Sequence, residues 1–86
     1  MTELERYATD LRNADPADDN AFSALIARGC SLLSISDSDL ARETGASRPT
    51  ITRWRNGNNV PHFTSRRPIY ALLERMARAA ARGAHR

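Results

Sequence analysis

The chain has no lysine and only one cysteine in 86 residues. A lone Cys30 cannot close an internal disulfide and leaves no cysteine-based metal centre. It falls inside an apolar-periodic segment, which marks it as a small buried thiol. Aromatic residues number five, too few for an aromatic-rich binding platform. No apolar run approaches the ~20 residues of a membrane-spanning helix, and no signal-peptide pattern opens the chain, so a cytoplasmic, nucleoid-associated location is expected. A Gly-rich phosphate loop, a nucleophile elbow and a Cys/His pair are all missing. His62 and His85 are far apart and poor in neighbouring ligands, and Asp15, Asp18 and Asp19 lack the glycine and spacing of a calcium loop. The expectation is therefore a protein that is not an enzyme, with no metal, no cofactor and no small-molecule ligand.

What is present is a charge asymmetry. Residues 1–40 carry eight acids against three arginines, whereas residues 41–86 carry ten arginines against two acids, a net −5 and +8 behind the overall +3. A basic half of this kind is the footprint of phosphate neutralisation. All thirteen basic residues are arginine, which forks onto phosphate or a guanine edge where lysine offers a point charge. An arginine- and alanine-rich genome would produce the same count, so the support for a nucleic-acid partner lies in where the charges fall.

Periodicity and caps predict five helices and no strand. Thr2 with Glu5 forms a capping box, and Leu4, Tyr7, Ala8 and Leu11 follow at helical spacing, giving a helix near 3–13. Residues 13–20 (NADPADDN) read as a linker. A second helix near 20–33 turns Phe22, Leu25, Ile26 and Leu33 inward, with Gly29 weakening it. Ser36 with Asp39 caps a third near 37–44, and Ser47 caps a fourth in which Pro49 falls in the first turn. Asn56-Gly57 ends that helix as a left-handed C-cap does. A loop over 58–65 leads to a last helix near 66–82, with Ile69, Leu72, Leu73, Met76 and Ala80 as its apolar stripe. This organisation divides into an amphipathic N-terminal helix, residues 1–14, and a compact unit over 20–83.

The segment Leu40–Trp54, LARETGASRPTITRW, carries the most specific signal. Two short helices cross closely only if the first offers a small residue, which Ala41 supplies. The turn needs a positive φ, which suits Gly45. The second helix must point bulky apolar groups back, and Ile51 and Trp54 sit three apart on one face. Together with the Asn56-Gly57 stop, the Val60-Pro61 loop and the apolar closing helix, residues 21–82 resemble the lambda-repressor-like family of Cro and XRE-type regulators. That resemblance implies an all-α helical bundle containing a helix-turn-helix, here with an extra N-terminal helix. It also implies sequence-specific binding of double-stranded DNA by a small transcriptional regulator, most simply a repressor, encoded by a bacterium or phage.

With Ile51 and Trp54 buried, the outward side of the fourth helix falls near Pro49, Thr52, Arg53 and Asn56 at ~100° per residue. The resembling repressors meet bases at positions matching Arg48, Pro49, Thr52 and Arg53, and phosphates at positions matching Ser36 and Ser47. Arg48 and Arg53 suit guanine O6/N7, while Pro49 and the Thr52 methyl suit a thymine methyl. A phosphate contact alone is the plainer role for either arginine, since most protein–DNA hydrogen bonds go to the backbone. Thr50, Asn56, Asn58 and Asn59 are further candidate phosphate contacts. Arg66, with Arg67 at the start of the last helix, joins them because a cation there opposes the helix dipole. Arg55 fits a salt bridge or a flank phosphate equally. Arg75, Arg78, Arg82 and Arg86 read as a solvated face.

One recognition helix spans only a few base pairs, so a homodimer on a palindromic operator is expected. Leu4, Tyr7 and Leu11 are the candidate interface; the plainer alternative is that this helix folds back on its own domain. The alternative function is a protein-binding adaptor or antitoxin-like partner whose helix-turn-helix is mainly scaffold.

Overall fold

In the computed structural model, which describes residues 1–83, five α-helices and one 3-10 turn follow one another without a strand among the described residues. The first four helices each begin where the sequence supplies a cap. α1 (Glu3–Asn13) starts in a closed capping box: Glu5 N–H donates to Thr2 Oγ1 at 3.1 Å, and Thr2 N–H donates to Glu5 Oε1 at 3.0 Å. α2 (Asp19–Leu33) is capped by Asp18, whose Oδ1 accepts from Ala21 N–H at 3.0 Å. α3 (Asp37–Thr44) repeats the capping box with Ser36 and Asp39, and α4 (Arg48–Arg55) starts at Ser47 with Pro49 in its first turn. The 3-10 turn Phe63–Ser65 feeds α5 (Arg66–Gly83).

The terminations are equally local. Gly45 closes α3 at φ +79°, the left-handed conformation that suits glycine. α4 ends with Asn58 N–H donating to the Arg53 carbonyl at 2.8 Å and Gly57 N–H to the Trp54 carbonyl at 3.1 Å, the paired bonds of a Schellman motif, with Gly57 at φ +83°. α2 ends in the same way with Ser34 at φ +54° in the glycine position.

The core is a single cluster drawn from all five helices. Phe22 on α2 stands at its centre, fully buried. Trp54 of α4 meets it edge-on at 5.6 Å between centroids, and Tyr70 of α5 lies 5.8 Å away on a tilted approach. Phe22 thus ties α4 to α5 through α2. α1 packs most extensively on α5, burying Tyr7, Ala8 and Leu11, and the Tyr7 hydroxyl donates to the Leu25 carbonyl of α2 at 2.7 Å. The radius of gyration, 12.1 Å, matches the ~12 Å of a compact chain this long.

Two sequence expectations are corrected. The buried stripe of α5 is Tyr70, Leu73, Ala77 and Ala81; Ile69, Leu72 and Met76 are half-buried and Ala80 is exposed. The stripe is rotated by roughly a quarter turn because α1 covers the Tyr70 side. Leu33 and Cys30 are half-buried, at the edge of the core and not in it. His85 and Arg86 lie outside the described residues.

Candidate nucleic-acid interface

α3 and α4 pack directly against each other across the Gly45 turn. Leu40 and Ala41 face inward from α3, Ile51 and Trp54 from α4, and Trp54 retains only 8% exposure. Burying these groups fixes the roll of α4, and its opposite side is thereby presented outward. Arg48, Pro49, Arg53 and Asn56 are exposed there, and Thr52 is half-buried beside them. The four base-reading candidates of the sequence therefore share one side of one helix.

The electrostatics of that side depend on which arginines already have acidic partners. Arg42 pairs with Asp39 at 2.6 Å, Arg55 with Asp37 at 2.8 Å and Arg78 with Glu74 at 2.9 Å. Arg48 and Arg53 have no ion pair or hydrogen bond from their side chains among the described residues, and Arg67, Arg75 and Arg82 share that state. Asp37, Asp39 and Glu74 are thus bound to other arginines, and the two arginines on the outer side of α4 form no ion pair among the described residues. An unpaired arginine fork is the group best shaped for phosphate or a guanine edge.

Asp37, at the first position of α3, is a participant that the sequence does not disclose. Its Oδ2 accepts from Thr52 Oγ1 at 2.7 Å, and its two oxygens accept from Arg55 Nε and Nη2 at 3.1 and 2.8 Å. The Arg55 hydrogen bonds, followed by that of Thr52, hold the Asp37 carboxyl below the usual carboxylate range. In return Asp37 raises the Arg55 guanidinium further above its ordinary value. Of the two roles open to Arg55, the salt bridge is the one observed. The only sequence signal for Asp37 was an acid in the first turn of a helix, which the helix dipole explains without reference to α4.

The candidate phosphate contacts divide into three groups. Ser47, Asn56, Asn58 and Asn59 are exposed at the two ends of α4 and in the loop after it, and half-buried Thr50 shares a 2.8 Å hydroxyl contact with Ser47. Ser36 is exposed but electrostatically unsuited. Its N–H donates to Asp39 Oδ2 at 2.9 Å, and the carboxylates of Asp37 and Asp39 crowd the same helix start. Bonding to the Ser36 backbone, then to its side chain, lowers the Asp39 carboxyl below its ordinary range, so the negative charge persists.

Arg66 is a correction. It is 3% exposed, and its guanidinium donates to the Pro61 carbonyl at 2.9 Å, the Pro16 carbonyl at 2.8 Å and Asp19 Oδ1 at 2.6 Å while lying 5.4 Å from the Phe22 ring centre. The anion that offsets its unfavourable place at a helix start is internal, at the head of α2. Arg66 staples the 14–18 linker and the loop before α5 to the core and faces no external phosphate.

The dimer face is a second correction. Tyr7 is fully buried and Leu11 2% exposed within one chain, with Leu4 half-buried against the core. α1 folds back onto α5, so the stripe assigned to a partner copy is already covered. Among the described residues, the exposed large apolar side chains are Met1 and Phe63, the latter 51% exposed.

Beside the interface runs an open groove of about 530 Å³ bordered by Cys30, Ser36, Asp37, Arg48 and Arg55. Burial, then the charge of Asp37, pushes the Cys30 thiol up, so it is a protonated wall of the groove and not a reactive thiolate. Among the described residues, no group of His, Cys, Asp and Glu is arranged to hold a metal, and no helix is long and apolar enough to cross a membrane. No protein-family model, curated protein or solved structure matches the chain.

Proposed function

We propose that the chain is a sequence-specific double-stranded-DNA-binding protein of the lambda-repressor-like kind, a small transcriptional regulator acting by occupancy of an operator. In this reading α3, the Gly45 turn and α4 form a helix-turn-helix, and α4 is the recognition helix lying in the major groove. The observation that carries it is the state of Arg48 and Arg53: exposed on the outer side of a helix anchored from behind by Ile51 and Trp54, and without an ion pair or side-chain hydrogen bond among the described residues, although Asp37 and Arg48 feel each other's charge.

Each role follows from side-chain chemistry. Arg48 and Arg53 read guanine O6 and N7, with Pro49 and the Thr52 methyl against thymine methyls. Ser47, Thr50, Asn56, Asn58 and Asn59 contact phosphates at the two ends of the helix, and the Ser47 end adds a helix N-terminus. Ser36 and Arg66 are left out of this set, the first for its acidic neighbours and the second because it is buried. One helix spans only a few base pairs, so two copies occupy a palindromic operator in this reading, by a surface other than the covered face of α1.

Selection of duplexes from random double-stranded DNA, read by sequencing, tests the proposal. The expected result is an enriched motif containing guanine and thymine, repeated as an inverted half-site. Recovery of unenriched DNA would remove the reading, and a motif without inverted symmetry would remove the paired copies.

A further inference from the structure

Thr52 sits midway along the outward side of α4, and its hydroxyl has one hydrogen to give. That hydrogen has two acceptors within the chain: Asp37 Oδ2 at 2.7 Å and the Arg48 carbonyl one turn back at 3.2 Å. The ionised acceptor at the shorter distance takes it. Threonine in a helix divides between two side-chain rotamers, because bonding to the preceding turn competes with the alternative. Here the rotamer that reaches the Arg48 carbonyl is also the one that reaches Asp37, so both acceptors favour one state. Asp37 is itself immobilised by the Arg55 fork, two parallel N–H donors at 3.1 and 2.8 Å. The orientation of Thr52 is thus set by α3, through a carboxylate that touches no base.

We infer that Asp37 is a positioning residue for base readout, which fixes Thr52 as a methyl-only reader of thymine by engaging its hydroxyl. This rests on the DNA-binding reading above. A free threonine hydroxyl bonds to several different base edges and discriminates poorly. With its hydrogen committed to Asp37, the Thr52 hydroxyl offers no donor and can only accept. Thymine presents an acceptor and a methyl in the major groove but no donor, so against thymine the methyl is the group left to discriminate. Arg55 has a matching part. Its charge compensates the Asp37 carboxylate, which would otherwise stand uncancelled beside a polyanion.

Two measurements test the inference. The first is the Thr52 side-chain rotamer in the free protein, from three-bond NMR couplings. A single rotamer is expected in the wild type and averaging over two in Asp37→Ala; an averaged wild type would overturn the positioning role without reference to DNA. The second is random-duplex selection with Thr52→Val and Thr52→Ser, neither of which touches the carboxylate. Thr52→Val keeps a methyl and lacks the hydroxyl, and is expected to select the same base at this position. Thr52→Ser keeps the hydroxyl and lacks the methyl, and its thymine preference is expected to fall roughly fourfold, the worth of one methyl group. A wild-type motif that Thr52→Val alters at this position overturns the inference and leaves DNA binding standing. A wild type that selects no motif overturns both.

Discussion

The Tyr7 hydroxyl occupies the space that a side chain at Gly29 would need. A Cβ built on Gly29 runs into the Tyr7 hydroxyl and the ring carbon bearing it. The same hydroxyl donates to the Leu25 carbonyl at 2.7 Å, so α1 is docked on α2 by a buried polar contact that only a glycine at position 29 admits. Glycine in mid-helix ordinarily costs about 1 kcal/mol relative to alanine, and replacing it usually stabilises. Here the sign reverses. Gly29→Ala is expected to destabilise by about 1–3 kcal/mol net, because overpacking displaces Tyr7 and breaks its hydrogen bond. Denaturant unfolding reads this directly, and a stabilised variant would show that α1 is not seated as described.

The two tyrosines make a paired comparison. Tyr7 has a buried hydroxyl with a partner, whereas the buried Tyr70 hydroxyl has no hydrogen-bond partner among the described residues. Burial raises the pKa of both phenols, so both are neutral donors at physiological pH. Tyr7→Phe should cost about 1 kcal/mol, by removing the buried hydrogen bond to the Leu25 carbonyl, which keeps its bond within α2. Tyr70→Phe should be neutral or slightly stabilising. Equal losses in thermal melts of the two variants would contradict the assignment.

Arg66→Ala separates a fold role from a DNA role. Removing the guanidinium leaves the half-buried Pro16 and Pro61 carbonyls without it and returns the exposed Asp19 carboxylate to water, so a loss of about 1–3 kcal/mol is expected. At a temperature where the variant remains folded, its DNA affinity and the salt dependence of that affinity should match the wild type. A reduced salt slope with unchanged stability would return Arg66 to the phosphate contacts.

Acid should loosen the α3–α4 pair. Arg55 and Thr52 hydrogen bonds hold the Asp37 carboxyl below its ordinary range, so its folded value lies under its unfolded one. The stabilisation is therefore fully present above the ordinary carboxylate range, near pH 4, and is lost as pH falls through the lowered value. Asp37→Asn should flatten part of the acid limb of the melting temperature against pH. An unchanged limb would mean that the Asp37 contacts contribute nothing to stability in solution.

The local parts of this architecture were legible in the sequence because their causes are local. Ser36, Ser47 and Gly45 bound α3 and α4 within one or two residues of each other, and the Ile51–Trp54 spacing alone fixes which side of α4 is buried. What was not legible depends on partners far along the chain. Arg66 looked like a surface cation because two of its three acceptors, the Pro16 carbonyl and the Asp19 carboxylate, lie 50 and 47 residues earlier, in and just after a linker whose path no pattern encodes. Tyr70 displaced Ala80 from the buried stripe because α1 lies against α5, a pairing that periodicity in either helix leaves open. Asp37 drew no assignment from the sequence, and only its hydrogen bonds to Thr52 and Arg55 reveal a link to α4.

The central claim is that α4 reads bases through arginines unpaired in the free protein, and Arg53→Ala tests it most directly. Affinities of wild type and variant should be compared at one salt concentration, on the selected duplex and on a random duplex of equal length. Arg53 is exposed and has no partner among the described residues, so the melting temperature should not change. The predicted result is a loss of about 1–3 kcal/mol on the selected duplex, with relaxed preference at one base position and little change on the random one. An equal loss on both duplexes, or no loss on either, would contradict base readout by α4.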